Sequence, residues 1–215
     1  MGETTSGIRS MLSLAGVYDV VQNALGAEHY RREIAQSYLR SLSPQRLRIL
    51  DVGCGTAQIL RHLPECTYVG VDFSERYISA ARKRYGDRGS FVCAEATQAS
   101  FQQWIGQFDC VVMLGLLHHL EDAEVVALFH AVGPALAADG RLFAVDPTVA
   151  PDTHAVGRFL ASRDRGRNVR PPHGYQELAR LAYRDVTLHV RHDLLRVPYS
   201  HAVLECSRPL GQDDE

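Results

Sequence analysis

The chain has 215 residues, 46% of them hydrophobic, with 23 basic and 25 acidic side chains and a formal charge of -2. That is enough apolar material for one domain with a sizeable core. The balanced charge lacks the basic excess of most nucleic-acid binders, which disfavours a tRNA or rRNA partner. Five cysteines (Cys54, Cys66, Cys93, Cys110, Cys206) include no C-x-x-C pair. They read as small buried hydrophobes of a reducing compartment. No apolar run reaches the ~20 residues of a membrane span. The polar start is no signal peptide, and Met1–Ser6 matches only the short, common N-myristoylation pattern. A cytoplasmic location is expected.

In chain order, Val17, Tyr18, Val21 and Leu25 form a first apolar stripe at helical spacing. Glu28–Leu42 forms a second, with Ile34, Tyr38, Leu39 and Leu42 on one face. Residues 1–45 are therefore expected to be helical. Short apolar runs then recur at Arg48–Val52, Thr67–Asp72, Ser90–Ala94, Phe108–Leu114 and Arg141–Asp146. Helix-like segments separate them at Ala57–Leu63, Ser74–Tyr85, Thr97–Ile105 and Asp122–Leu136. This alternation predicts right-handed crossovers and a parallel sheet with helices on both faces. An irregular Arg-rich segment (150–173) precedes one more helix, Gly174–Tyr183. The runs Val186–His192 and Ser200–Ser207 follow, joined by a link containing Pro198 that is too short for anything but antiparallel neighbours. The expected fold is α/β: a doubly wound, seven-stranded sheet over residues 46–209 with an antiparallel strand near its end. The acidic tail, 210–215, is expected to fray.

Just past the first strand, Gly53-Cys54-Gly55 can bring backbone close to a ligand, at the carboxyl edge where such sheets bind nucleotides. A dinucleotide fingerprint would add a third glycine beside a pyrophosphate, and Ala57-Gln58 offers none. The second strand ends in Asp72, placed to take both hydroxyls of a ribose or, alternatively, to cap the helix beginning at Ser74. Glu95 follows the third strand and could accept from an adenine amino group, with Phe73 and Ala96 flanking the ring. Three acid-tipped strands around one glycine turn are hard to explain as chance.

The stretches "ILDVGCGTA", "VGVDFS", "FVCAEA" and "FDCVVMLGLLHHLED" resemble the class I S-adenosylmethionine-dependent methyltransferases. They are most similar to the small-molecule (type 11/25-like) subgroup, whose fourth strand ends in L-H-H. The resemblance covers residues 46–147 and implies a Rossmann-like methyltransferase fold with S-adenosylmethionine as cofactor and S-adenosylhomocysteine as product. It implies that Asp51, Gly53 and Gly55, with Cys54 between them, hold the methionine end. Asp72 would bind the ribose, Glu95 with Ala96 the adenine, and Leu114-Gly115 would face the sulfonium. Two departures stand out. Ala57 replaces a frequent third glycine, and Glu95 replaces the commoner Asp, its extra methylene setting the adenine further out.

Methyl transfer needs a nucleophile held near attack distance, ~3–3.5 Å, and a proton-bearing acceptor gains from a base. His118 and His119 follow the fourth strand, and Asp146 ends the fifth in "LFAVDP". If those strands are neighbours, ~4.8 Å apart, imidazole and carboxylate can meet above the sheet. The acid would then orient the ring and stabilise its protonated form. His118 is the preferred base, since His119 is expected to turn into the following helix. Packing or backbone binding at the pocket stays open as the other account. A metal site with Asp122 lacks a convincing third ligand, and no metal is expected.

Arg163, Arg165, Arg167 and Arg170 in "SRDRGRNVR" suit a carboxylate or phosphate on the substrate. A solvated loop or an oligomer contact explains them equally well. His173 and Tyr175 follow and could line the same cleft. In small-molecule methyltransferases the N-terminal helices commonly form a lid, from which Tyr18 could reach the methyl group. Docking of its apolar face on the sheet is the alternative.

The leading expectation is methyl transfer to an O or N atom of a small metabolite, with an anionic one among the candidates. The second is a cofactor-binding protein repurposed for other chemistry or for binding alone. A macromolecule methyltransferase would want an appended binding domain or more positive charge. Monomer and homodimer are equally open.

Overall fold

The structure, a computed structural model, describes residues 26–39, 46–95, 99–162 and 168–211. Helix α1 (Ala27–Ile34) runs on through a wider helical turn, Ala35–Leu39. The strands are β1 (Arg48–Val52), β2 (Thr67–Asp72), β3 (Ser90–Cys93), β4 (Phe108–Leu114), β5 (Leu136–Thr148), β6 (Tyr183–Arg191) and β7 (Ser200–Pro209). The remaining helices are α2 (Glu75–Tyr85), α3 (Asp122–Val132), α4 (Ala155–Ser162) and α5 (Pro172–Arg180).

The seven strands form one sheet in the order β3-β2-β1-β4-β5-β7-β6. Neighbours from β3 to β5 are parallel, and β7 runs antiparallel to both β5 and β6. The doubly wound sheet with an antiparallel strand near its end is thus present. Strand order reverses between β1 and β4, which opens a crevice at their carboxyl ends.

Alternation along buried strands feeds two cores. Leu50, Val52, Met113, Leu117, Phe129 and Tyr175 share one face. Ile49, Cys110 and Val145 share the other with Ile34, Ala35 and Leu39. The N-terminal helix is therefore built into the core. Three cysteines are buried as expected, but Cys54 is half-buried and Cys93, at the tip of β3, is exposed. All five are free thiols. No helix among the described residues is long and apolar enough to cross a membrane.

Several expected elements differ for local reasons. Ala57 takes a left-handed conformation (φ 54°), so the expected helix Ala57–Leu63 shrinks to one tight turn, Gln58–Arg61. Burial of the Ala57 methyl offsets part of that strain. The segment Ala99–Trp104 is likewise a 3-10 turn rather than a helix over 97–105. Pro134 ends α3 early, and β5 already starts at Leu136.

The segment 150–173 is not wholly irregular, because α4 lies within it. Gly157 in α4 lowers the helical signal yet lets the helix dock, since a Cβ there would collide with the Pro198 carbonyl oxygen.

Candidate active site

The glycine turn starts at the end of β1. Gly53 (φ 75°) and Gly55 (φ 53°) occupy left-handed conformations that side chains resist. The Gly53 and Cys54 amides donate to the Val71 carbonyl at 2.8 and 3.0 Å, tying the turn to β2. Gly55 N–H donates to Asp72 Oδ2, and Ser74 N–H to Asp72 Oδ1, each at 2.9 Å. The following helix begins at Glu75 and its cap is Ser74, whose Oγ accepts the Tyr77 amide at 3.4 Å, so Asp72 orders the turn before the helix without capping it; each of its carboxylate oxygens keeps a second lone pair. Burial raises the Asp72 pKa, and the two amides pull it back. Among the described residues, a Cβ at Gly55 would meet nothing within 4 Å, so none of them fills the space over the turn.

Asp51 is buried on β1, and the Tyr68 hydroxyl donates to it at 2.5 Å. Its register partner Gly70 makes this possible, since a Cβ there would lie 3.1 Å from the Tyr68 ring and 2.8 Å from Cys54 Sγ. Burial pushes the Asp51 carboxyl up to about 7; the Tyr68 bond and Arg31 oppose this, and Asp72 adds to it. Arg31 was not among the residues singled out from the sequence. Its Nη1 is buried without a partner among the described residues, and its charge acts on Asp51. The tripeptide Tyr30-Arg31-Arg32 was visible, but apolar periodicity gives a polar helix position no weight.

A consequence of this buried acid is measurable. The folded pKa lies above the unfolded value, so stability is lost as pH rises from about 4 to about 7. Above that window the penalty is complete, on the order of 4 kcal/mol for a shift of this size. Asp51→Asn is expected to match the wild type in urea denaturation near pH 4 and to exceed it at pH 8. Equal stability at pH 8 would contradict the assignment.

Strand β4 ends in Leu114 and Gly115, both half-buried, and Gly115 (φ 68°) donates to the Val145 carbonyl at 2.8 Å. A turn, Leu117–His119, follows. His118 is buried, and its Nδ1 lies 2.6 Å from Asp146 Oδ1, which also accepts the His118 amide at 3.0 Å. The neighbouring strand tips bring the two side chains together. An ionised carboxylate only accepts, so Nδ1 carries the proton of the neutral ring and Nε2 is its basic nitrogen. A Cβ on Gly115 would lie 3.7 Å from His118 Cε1, so the ring edge faces the end of β4. Asp146 Oδ2 is buried without a partner among the described residues.

His119 is exposed and stacks on His118, with ring centroids 4.0 Å apart. It does not enter the next helix, which starts at Asp122 behind a Glu121/Glu124 capping box. No group of three or more His, Cys, Asp or Glu arranged to hold a metal occurs among the described residues.

Arg170 lies behind this turn and is buried. Its guanidinium donates to the carbonyls of Leu117 (3.0 Å), Leu120 (2.7 Å) and Asn168 (3.1 Å), and to Asp122 (2.8 Å). The Asn168 amide donates to the His118 carbonyl at 3.0 Å. Arg170 thus braces the His118 turn from within, which is a different task from meeting a substrate anion. Tyr175 is also buried and donates to the Pro147 carbonyl at 3.0 Å. His173 is exposed on the first turn of α5. Phe73, 74% exposed, stands just past Asp72, and Glu95 is exposed just past β3. Tyr18, Ala96, Arg163 and Arg165 lie outside the described residues.

A doubly wound sheet with a glycine turn and acids at adjacent strand tips defines a Rossmann-like nucleotide-cofactor domain. Comparison with known proteins narrows this. The family model described as "Methyltransferase domain" matches residues 50–142. A Geobacillus sp. (strain WCH70) protein with a provisional methyltransferase name is 32% identical over 167 residues, 71% of this chain and 64% of that protein. The dTDP-3-amino-3,6-dideoxy-alpha-D-glucopyranose N,N-dimethyltransferase of Streptomyces fradiae is 37% identical over 78 residues, 34% of this chain and 30% of that protein. The matches to the four curated relatives span 24 to 64% of their lengths. Among solved structures, the plantazolicin methyltransferase BpumL, in complex with S-adenosylhomocysteine, shares the fold with a TM-score of 0.69 at 15% identity, over 91% of this chain and 90% of that one. Residues 50–142 thus match a methyltransferase domain, and the fold is the one seen in solved S-adenosylmethionine-dependent methyltransferases.

Proposed function

We propose that the protein binds S-adenosylmethionine and transfers its methyl group to an N or O atom of a small acceptor. The observation that carries this reading is the buried His118–Asp146 pair, bonded at 2.6 Å with its ring edge against Gly115. The residues present fit the cofactor. Among the described residues, nothing fills the space over Gly55, the buried Arg31 Nη1 has no partner while its charge acts on Asp51, and Phe73 and Glu95 are exposed past Asp72. Asp51 and Arg31 would take the methionine ammonium and carboxylate, Asp72 the ribose, and Glu95 with Phe73 and Ala96 the adenine. When bound, the cofactor supplies a methyl carbon already activated by its sulfonium.

His118 Nε2 then accepts the acceptor's proton, and Asp146 holds the ring in the required tautomer and balances its charge. The amino-sugar substrate named for the Streptomyces fradiae relative favours nitrogen as the acceptor atom. Arg163 and Arg165 would meet an anionic group on that substrate. Residues 1–45, with Tyr18, would cover the pocket, and five free thiols suit the cytoplasm.

The competing function is a cofactor-binding protein without methyl transfer. The two separate in an incubation with S-adenosylmethionine and a small-metabolite extract, read by mass spectrometry. Formation of S-adenosylhomocysteine together with a product heavier by one methylene is expected. Cofactor binding without either product would support the competing function.

A further inference from the structure

Asp51 is poorly supported as an ion. It is 2% exposed, and among the described residues one donor reaches its carboxyl, the Tyr68 hydroxyl at 2.5 Å on Oδ2. Asp72, one strand away, takes two backbone amides instead. A buried carboxylate has about four acceptor sites, and a single neutral donor leaves its protonated form favoured. The groups facing it do little to reverse this. Tyr68 and the like charge of Asp72 come from β2, Cys54 from the glycine turn, and Cys110 from β4. Tyr30 and Arg31 come from the N-terminal helix. Burial raises the pKa of both thiols and both phenols, so these four stay neutral. Arg31 supplies positive charge, yet its buried Nη1 bonds to no described residue, Asp51 included. Burial accordingly holds the Asp51 pKa at about 7.

We infer that cofactor binding is coupled to a proton: the resting pocket keeps one on Asp51, and the ammonium of S-adenosylmethionine displaces it. The inference rests on the proposed placement of the methionine end at Asp51. On binding, the carboxyl O–H bond breaks, its proton leaves to the buffer, and an ammonium N–H donates to the freed oxygen. Tyr68 keeps its bond to the carboxylate throughout. A cation in contact stabilises the ionised carboxyl where water cannot reach it. S-adenosylhomocysteine carries the same ammonium and releases the same proton. Because a proton leaves, affinity falls as pH drops through about 7.

The test is isothermal titration of the full chain with S-adenosylmethionine in buffers of different ionisation enthalpy, which counts the protons released. About half a proton per ligand is expected at pH 7 and nearly one at pH 5.5, with affinity about ten- to twenty-fold weaker at the lower value. The ligand's own α-ammonium stays largely charged at both. Tyr68→Phe removes the donor that favours the ion, so its count at pH 7 should rise toward one. A wild-type count near zero at both pH values would overturn the coupling. A count at pH 7 that Tyr68→Phe leaves unchanged would assign the proton to another group and overturn it as well. If the wild type binds no S-adenosylmethionine, the cofactor reading itself fails and takes this coupling with it.

Discussion

His118→Asn is expected to lower kcat by about two to four orders of magnitude, the usual contribution of a positioned base, while S-adenosylmethionine binding is retained. Asn at this position can still donate toward Asp146, so the turn keeps its shape while the basic nitrogen is gone. Asp146→Asn should act in the same direction by a different route. A carboxamide can present its NH₂ to Nδ1, which favours the tautomer with the proton on Nε2 and removes the base without moving it. If the histidine only packs against the pocket, His118→Asn would instead change KM or stability and leave kcat in place. The 2.6 Å contact and the burial of both groups favour the base.

Arg170→Ala is expected to be the most damaging single change to the fold among the site residues. The salt bridge to Asp122 adds little, because that carboxylate is 74% exposed. The weight lies in the three carbonyls of Leu117, Leu120 and Asn168 that the guanidinium satisfies at 2.7 to 3.1 Å. The Leu117 carbonyl keeps the Leu120 amide at 3.1 Å, but leaving those of Leu120 and Asn168 without this donor in a partly buried site costs about 3 kcal/mol, or roughly 10 °C in melting temperature for a domain of this size. Arg170→Lys should recover only a fraction, since one ammonium cannot span a planar fork's targets. Because the brace holds the His118 turn, the surviving Arg170→Ala protein should also lose kcat more than cofactor affinity. A change below 1 kcal/mol in urea denaturation would contradict the brace.

The contrast between Asp146 and Arg170 shows where sequence reasoning reached and where it stopped. Asp51, Asp72 and Asp146 were legible because each ends an apolar run, and in a parallel sheet run ends gather at one edge. The meeting of His118 with Asp146 needed only β4 and β5 to be neighbours, as they are in the sheet. Arg170 was read with Arg163 and Arg165 because they share a short segment. Its true partners lie in the 117–122 turn, about fifty residues earlier, and no periodicity joins the two. Arg31 and Tyr30 were missed for a related reason: a helix read by its apolar stripe yields the docked face, not the polar residues flanking it. The left-handed Ala57 and the helix around Gly157 depend on backbone contacts with distant segments. Local propensity argues against both.

The central claim is that the crevice at the carboxyl ends of β1 and β4 is an S-adenosylmethionine pocket. The most direct test is isothermal titration of the protein with S-adenosylmethionine and, separately, S-adenosylhomocysteine, using Asp72→Asn as the control. Asn at this position can still accept an N–H bond from the Gly55 turn but lacks the carboxylate's second acceptor oxygen for ribose hydroxyls. Micromolar binding of both compounds by the wild type, weakened at least ten-fold in the variant, is the predicted result. Absence of binding by a folded wild-type protein, or equal binding by the variant, would contradict it.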